Sequence, residues 1–469
     1  MKKRISDLVR NISPRLIKHA PMRMRTSIAI VMGVACTTFS TIAHAQTNDN
    51  TQATASAEEE TWAVHGQMTT ILQGHPQFPS PYIGPQSMDP NGREEETTDI
   101  TMFIGTKLWR NAELWINPEI DQGFGLSQSF GIAGFPSGGA YKQGKNMPYP
   151  RVPRLFLRQV FPLGGEQVAV EAGANQLASV HSADNVTLTV GKFSVVDIFD
   201  NNTYAHDPRA DFLNWSIIDA GAFDYAADVW GYTYGAAVEW NQGNWTWRNG
   251  LFEMSPVPNA KITRIHFHEF ELASELEERH QIAGHPGKLK LLAYLNRAPM
   301  SKYSDAIQYG IENNTTPDVS TSRRFASNYG FAINGEQELT SDIGAFARFS
   351  KVPGDKEVYE FSDIDQSISA GFQIKGDRWG RHDDTFGIGA AINSLSSDAQ
   401  QYFKAGGLGL LIGDGTLNYG TEKILETYYA FRVHPHVTVT FDYQRIKNPG
   451  YNTDRGPITV YGLRFHADI

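Results

Sequence analysis

Cysteine is nearly absent: Cys36 is the only one among 469 residues, and it falls in the first 45. Disulfides therefore hold nothing together, and some other closure must stabilise an exported chain. Long apolar runs are missing after residue 45; no later stretch reaches the roughly twenty residues of a membrane-spanning helix. A basic surplus is missing too. Residues 1–45 hold eight of the 41 basic residues and one of the 51 acids, so the remainder carries 33 against 50, a formal −17. Such a surface repels a phosphate backbone, which excludes nucleic acid as an expected partner. The sequence has no G-x-S-x-G, no P-loop and no strong paired-carboxylate motif. "GGLGLLIGDG" fails the G-x-G-x-x-G spacing, and "HFHEF" sets His266 and His268 two apart with no further ligand to complete a zinc site. No catalytic residue, cofactor or metal is expected.

What is present begins with a targeting segment. Lys2, Lys3, Arg4, Arg10, Arg15, Lys18, Arg23 and Arg25 precede the apolar "SIAIVMGVACTTFSTI" and the small-x-small "AHA". This predicts a signal peptide over residues 1–45. Lipoprotein processing at Cys36 is the lesser reading, because Gly33 stands where a bulky aliphatic belongs. A retained anchor is weaker still: Thr37, Thr38, Ser40 and Thr41 make its second half polar. Residues 46–60, "QTNDNTQATASAEEE", read as a disordered acidic tail.

From Trp62 onward the chain is written in short alternating runs. Ile100, Met102 and Ile104 alternate with Thr101, Phe103, Gly105 and Lys107. Leu114 and Ile116 alternate with Glu113, Trp115, Asn117 and Glu119. Fourteen to eighteen such runs predict strands near the length that a tilted strand needs to cross a bilayer. Even "FELASELEERHQI", helix-prone by composition, places Phe270, Leu272 and Leu276 opposite Glu271, Glu275 and Glu277 at a period of two. Connections come in two kinds. "RN", "PLGG", "NQGN", "AGHPG" and "HPH" are short; 121–149, 197–230, 300–327 and 394–419 are long and polar. Within the last of these, "DAQQYF" reads as a helical turn. Tight turns at one end and long loops at the other fit a transmembrane antiparallel β-barrel over residues 61–469, with about sixteen strands. Residues 46–60 are expected on its periplasmic side.

The closing "VYGLRFHADI" alternates to the last residue. A closing stave explains this, because in lipid every backbone group must be paired and the last strand must meet the first. Tyr461, Leu463, Phe465 and Ile469 are expected toward lipid, and Arg464 and His466 toward the lumen. The run also resembles the terminal signal read by the barrel-assembly machinery, although Ile469 stands where an aromatic is usual. A soluble sandwich is the competing fold; the strand count, strand length and alternating connections weigh against it.

Two stretches carry candidate solute chemistry. In "RVPRLFLRQ", Arg154, Phe156 and Arg158 share a face. Guanidinium donors suit sugar hydroxyls, and an aromatic face suits the C–H side of the ring. The plainer reading is that they line a wet interior. "DIFDNNTYAHDPRADFLNW" holds Asp197, Asp200, Asn201, Asn202, His206, Asp207, Arg209 and Asp211 beside Phe199, Tyr204 and Trp215. That density suits a constriction loop folded into a barrel. A solvated external loop and a calcium site remain the alternatives.

The strings "GKFSVVDIFDNNTYAHDPRADFLNW", "DYAADVWGYTYG", "GGLGLLIGDGTLNYGTE" and "DYQRIKNPGYNTDRGPITVYGLRFHADI" resemble the carbohydrate-selective porin family of Gram-negative outer membranes (OprB-like). "NPEIDQGFGLS" and "GIAGFPSG" add to the resemblance, which extends over most of the chain after Trp62, with "NPGYNTDRGP" its most specific part. It implies a sixteen-stranded barrel that admits sugars by facilitated diffusion past inward loops and an arginine-rich narrowing. Neither sixteen nor sugar follows from periodicity. The implied partners are carbohydrate solutes, outer-membrane lipid and lipopolysaccharide, and the assembly machinery during biogenesis. Position and chemistry nominate Arg154, Arg158, Glu119, Asp200, Asn202 and Arg209 as substrate-binding. A porin for anions or small organic acids is the first rival; an outer-membrane enzyme or a soluble sugar-binding β-protein is the second.

Overall fold

The computed structural model describes residues 59–140, 144–361 and 363–469. The signal peptide and all but residues 59 and 60 of the acidic tail lie outside the described residues. Strands β1 (Trp62–His75), β2 (Arg93–Trp109), β3 (Ala112–Gly123) and β4 (Lys145–Val170) come first. They are followed by β5 (Ser179–Phe193), β6 (Thr233–Gln242), β7 (Trp245–Glu253) and β8 (Phe270–Ile282). The second half holds β9 (His285–Met300), β10 (Arg324–Thr340), β11 (Ile343–Lys351) and β12 (Gln366–Lys375). It ends with β13 (Thr385–Ser394), β14 (Glu422–His434), β15 (Val437–Lys447) and β16 (Ile458–Asp468). Each strand pairs with its sequence neighbours, and β16 pairs back onto β1 from Gln67↔Asp468 to Gly74↔Tyr461. The sheet is a closed antiparallel barrel, so it offers no free edge to lipid.

Alternation decides which face is which. On β8, Leu272 and Leu276 are 47% and 46% exposed on the outside, while Glu271 and Glu275 are 0% and 1% exposed inside. Helical propensity loses here because a period of two puts Leu272 and Leu276 into lipid and Glu271, Glu275 and Glu277 into the lumen. Aromatic residues collect near both rims. Trp62, Trp109, Trp240 and Trp247 face outward near the short-turn end, and Tyr443 and Tyr461 pair in register toward the other end.

The short turns use left-handed residues. Asn111 (φ 61°) closes β2–β3, and Ala283 and Gly284 (φ 53° and 84°) close β8–β9. The expected turn at "PLGG" is not one. Strand β4 runs through it to Val170, with register shifts around Gly164, and the chain reverses only at 171–178. Gly164 and Gly165 take φ of 120° and 82°, which absorbs extra residues as bulges rather than folding the strand back. At the opposite end every connection is longer. Besides the four anticipated from the sequence, 76–92, 254–269, 352–365 and 448–457 lie there. Helices α1 (Trp215–Ile218), α2 (Tyr303–Asn313) and α3 (Ser397–Lys404) sit in these loops, the last at "DAQQYF".

The lumen is occupied by the β5–β6 loop, residues 194–232. A loop inside a barrel must find partners for its own N–H and C=O groups. The wall supplies them from both signs of charge. Carboxylates accept loop N–H groups: Glu275 takes Asp200 N (2.8 Å), Glu336 takes Thr203 N (2.7 Å), Glu426 takes Leu213 N and Asn214 N (2.5 and 3.0 Å), and Glu271 takes Ala226 N (2.8 Å). Guanidiniums donate to loop carbonyls. Arg348 reaches Ile217 O (2.8 Å) and Ala205 O (2.7 Å). Arg464 reaches Pro208 O, Ala210 O and Asp211 O at 2.7–2.8 Å. The β3–β4 loop is held the same way, with Glu422 accepting Ala133 N and Gly134 N at 3.0 and 2.7 Å.

Two outcomes follow. Leu276→Arg, which puts a charge into the outward band, should lower barrel stability by about 2–4 kcal/mol if it lies near the bilayer midplane. Denaturant-dependent folding into phospholipid vesicles measures this. Arg348→Met should free part of the inward loop, because it leaves buried carbonyls without their donor and removes the cation beside Asp200. Single-channel recording should then show larger and noisier conductance than the parent.

Candidate functional site

The inward loop, neighbouring long loops and the wall of β1, β2, β4 and β5 line a cavity of about 460 Å³. Its polar side is built from strand β4 and the loop. Alternation on β4 aims Arg154, Phe156 and Arg158 inward together. Arg154 forms a two-point pair with Asp197 (Nε–Oδ2 2.8 Å, Nη2–Oδ1 2.6 Å). Its guanidinium also lies over the Tyr232 ring, 5.0 Å from the centroid. Arg209, brought from the loop, donates from Nε to Asp99 at 3.1 Å, and its Nη2 lies 4.0 Å from Glu119. Glu119 accepts from Thr101 Oγ1 and Arg151 Nη2, both at 2.6 Å. Arg158 donates to Asn175 O at 2.8 Å, lies 3.6 Å from Glu113, and stacks over Phe156 at 5.3 Å.

The other side is aromatic. Trp215 is sandwiched between Phe135 (5.1 Å, 17°) and Phe361 (4.7 Å, 20°), and Tyr225 packs on Phe361 at 4.1 Å. These rings come from three different loops. Trp215 N donates to Phe135 O at 3.1 Å, and the Asp224 carboxylate accepts Tyr359 N and Glu360 N at 2.8 Å, so backbone contacts fix the stack.

Burial and neighbours set the loop charges. Burial works against the Arg209 guanidinium, but Asp99, Tyr232, Asp207 and Glu119 together hold it well above its ordinary range. Burial likewise opposes the Asp197 carboxylate, and Arg154 outweighs it and lowers its pKa. Asp228 is pushed up by burial, which Lys192 at 3.8 Å offsets only in part. Asp224 is pushed by burial up to about 6. His206 Nδ1 and Asp219 Oδ1 lie 3.4 Å apart. Burial raises Asp219, and Asp219 raises His206 against the effect of burial.

The sequence-nominated residues separate into two groups. Arg154, Arg158 and Arg209 line the cavity, and Glu119 stands directly behind Arg209. Asp200 and Asn202 do not reach the lining. Asp200 accepts Ala220 N (2.6 Å) and Asn334 Nδ2 (2.8 Å) and lies 3.3 Å from Arg348; Asn202 donates to Asn334 Oδ1 (2.8 Å). Both tie the loop to the wall. The acids of this loop also do not converge. Asp197 and Asp200 pair with Arg154 and Arg348, Asp207 accepts Arg209 N, Asp211 accepts His206 N and Asp207 N, and Asp219 faces His206. Each is engaged separately, which does not suit a calcium cage.

Arg158 also lines a second cavity of about 230 Å³ near the short-turn end, with Glu113, Gln176, His181, Asn185, Glu239 and Asn241. It is the one lining residue common to both spaces. Phe135, Tyr225, Phe361, Asp99 and Arg151 were not identified from the sequence. They converge from segments far apart in the chain, and no local pattern marks them.

Among solved structures, the chain is similar to OprB of Pseudomonas putida in its high-pH form. The identity is 16% and the TM-score 0.67, over 87% of this chain and 94% of that one. It also matches the outer-membrane channel DcaP of Acinetobacter baumannii (9%, TM-score 0.48, 87% and 97% covered) and Pseudomonas aeruginosa OccK11 (11%, TM-score 0.45, 88% and 98% covered). No curated protein sequence gives a significant match. The model of the carbohydrate-selective porin, OprB family, matches residues 86–468. That span takes in β2 to β16, the inward loop and every lining residue of both cavities except Gln67, and it places the chain in the carbohydrate-selective porin (OprB) family of outer-membrane sugar channels.

Proposed function

We propose that sugars cross this barrel down their own gradient along the cavity between the Trp215 aromatic stack and Arg154, Arg158 and Arg209. The observation that carries this reading is the pairing of the arginines. Arg154 and Arg209 are each matched to a carboxylate, yet a guanidinium has five donors and each spends only one or two on its partner. What remains is a set of fixed donors with little net charge. Such donors suit neutral hydroxyls. An anion would meet Asp197, Asp207, Asp219, Asp228 and Glu360 in the same lining, which disfavours the anion-porin reading. The aromatic shelf takes the C–H side of the ring, and Arg158 passes the solute to the second cavity. Glu119 acts through Arg209 and Arg151 by holding their positions. Each hydroxyl exchanges water for a side-chain partner of similar strength, so binding stays weak enough for release.

We propose further that residues 1–45 direct export, that the assembly machinery inserts the barrel, and that outer-membrane lipid and lipopolysaccharide surround it. None of these bears on the solute path.

In planar bilayers the pure protein should form channels whose ion current falls when a monosaccharide or short oligosaccharide is added. Replacing Arg154 and Arg158 together with alanine should raise the half-blocking sugar concentration roughly tenfold while the channel stays open. That corresponds to losing one to two hydrogen bonds of about 1 kcal/mol each. Unchanged block would remove these arginines from the path. Strong anion selectivity with indifference to every sugar tested would overturn the assignment of the cavity.

A further inference from the structure

We propose that the loop between β7 and β8 carries a binding site for a divalent transition-metal cation, with Glu253, His266 and Glu269 as its protein ligands. The site lies at the long-loop end of the barrel, apart from both cavities. Strand pairing builds it. Glu253 ends β7 opposite Phe270, so the hairpin brings Glu253 and Glu269 together at its open end. The intervening loop then returns His266 onto them. The Glu253 carboxylate fixes that return by accepting His266 N at 3.2 Å and Phe267 N at 2.5 Å.

The three candidate ligand atoms lie within 4.8 Å of one another. His266 Nδ1 is 3.3 Å from Glu253 Oε1 and 3.8 Å from Glu269 Oε2. In a tetrahedral site with bonds of about 2.0–2.1 Å, neighbouring ligand atoms stand roughly 3.3 Å apart. The arrangement is thus close to two edges of such a site before any side chain moves. The glutamates are nearly sealed, at 1% and 8% side-chain exposure, whereas His266 is 44% exposed and leaves a side open to water.

The electrostatics point the same way. Among the described residues no Lys or Arg forms an ion pair with Glu253 or Glu269. His268 N lies 3.1 Å from His266 Nδ1 as a donor, so that nitrogen presents a lone pair. Two carboxylate oxygens, 3.3 and 3.8 Å from this nitrogen, stand beside it, and its lone pair, held by one neutral N–H, is open to exchange for a cation that all three would share. With a metal bound, the His268 N–H turns to water. His268 Nδ1, 2.9 Å from Glu269 Oε1, orients that ligand from outside, the usual role of an outer partner. Three protein donors that include an imidazole suit Zn²⁺, Co²⁺ or Ni²⁺; Ca²⁺ takes six to eight oxygens. Sequence spacing offered only His266 and His268. The missing ligands are Glu269, within the same string, and Glu253, which β7–β8 pairing places beside it.

The test uses tag-free, folded protein in detergent, stripped with a chelator and then equilibrated with Zn²⁺. Metal analysis after gel filtration should find one tightly held Zn²⁺ per chain, and Co²⁺ should give visible d–d absorption. His266→Ala, at an exposed loop position, should lose both signals while keeping the folded gel mobility of the parent. Glu253→Gln should lose them too. His268→Ala should keep the stoichiometry and weaken affinity about 10-fold or more. If His266→Ala retains as much Zn²⁺ as the parent, or if the parent binds none, a protonated imidazole rather than a metal neutralises the acids and the proposal fails. Displacement of Zn²⁺ by equimolar Ca²⁺ would overturn the assigned metal class.

Discussion

Satisfying the backbone of a loop enclosed in a barrel is the constraint on which the rest of this structure depends. The strands need no help, since closure pairs them all. The β5–β6 loop has no such ladder. Each N–H or C=O it buries without a partner costs on the order of 1–3 kcal/mol, and dozens of such groups would exceed the stability of any domain. The barrel meets this with charged wall residues used as backbone receptors. Glu271, Glu275, Glu336 and Glu426 take N–H groups, and Arg348 and Arg464 take carbonyls. The cost of burying those charges is offset locally where a group makes several hydrogen bonds, as Glu336, Glu426, Arg348 and Arg464 do; Glu271 makes one, from Ala226 N. Arg464, on the closing strand, alone holds three carbonyls of one loop stretch, those of Pro208, Ala210 and Asp211.

This explains why a lumen so rich in acids and arginines is not a highly charged pore. Most of the charge is committed to holding the loop or to ion pairs, and what reaches the cavity is compensated. Arg154 with Asp197 and Arg209 with Asp99 leave fixed donors without a strong field. A field would favour ions, whose transfer from water is governed by charge. Fixed neutral-like donors beside an apolar shelf favour solutes that carry hydroxyls on one side and C–H groups on the other. The loop therefore sets width and chemistry together: the segment that narrows the lumen also contributes Asp197, Arg209, Trp215 and Tyr225 to it.

The wall was legible in the sequence because it is a local pattern. Period-two alternation is imposed residue by residue wherever one face meets lipid, so β2, β3, β8 and β16 could be read directly, even against helical propensity at Glu271–Glu278. The turn at "PLGG" was misread because glycine marks a bulge as readily as a reversal. Within the site, Arg154 and Arg158 were visible as inward positions of a strand. Asp200 and Asn202 looked the same as Arg209 from the sequence, since a dense polar loop does not say which side chains face the cavity and which face the wall. Phe135 and Phe361 could not be found, because their meeting at Trp215 is decided by how three loops fold into one lumen, and Asp99 on β2 gains its role only from the loop residue Arg209 that reaches it.

The same residue types thus serve opposite ends according to depth. An arginine such as Arg348, whose Nε meets the Asp200 carboxylate and whose two terminal nitrogens meet three loop carbonyls, is structural, and little of it is left for a solute. An arginine whose partner is one carboxylate, such as Arg154, keeps donors in reserve while its geometry is locked. The distinction is not one of conserved type or of position in the strand but of how many donors are already spent. In a barrel of this kind, counting the unspent donors around the lumen separates the residues that shape the channel from those that can read what passes through it.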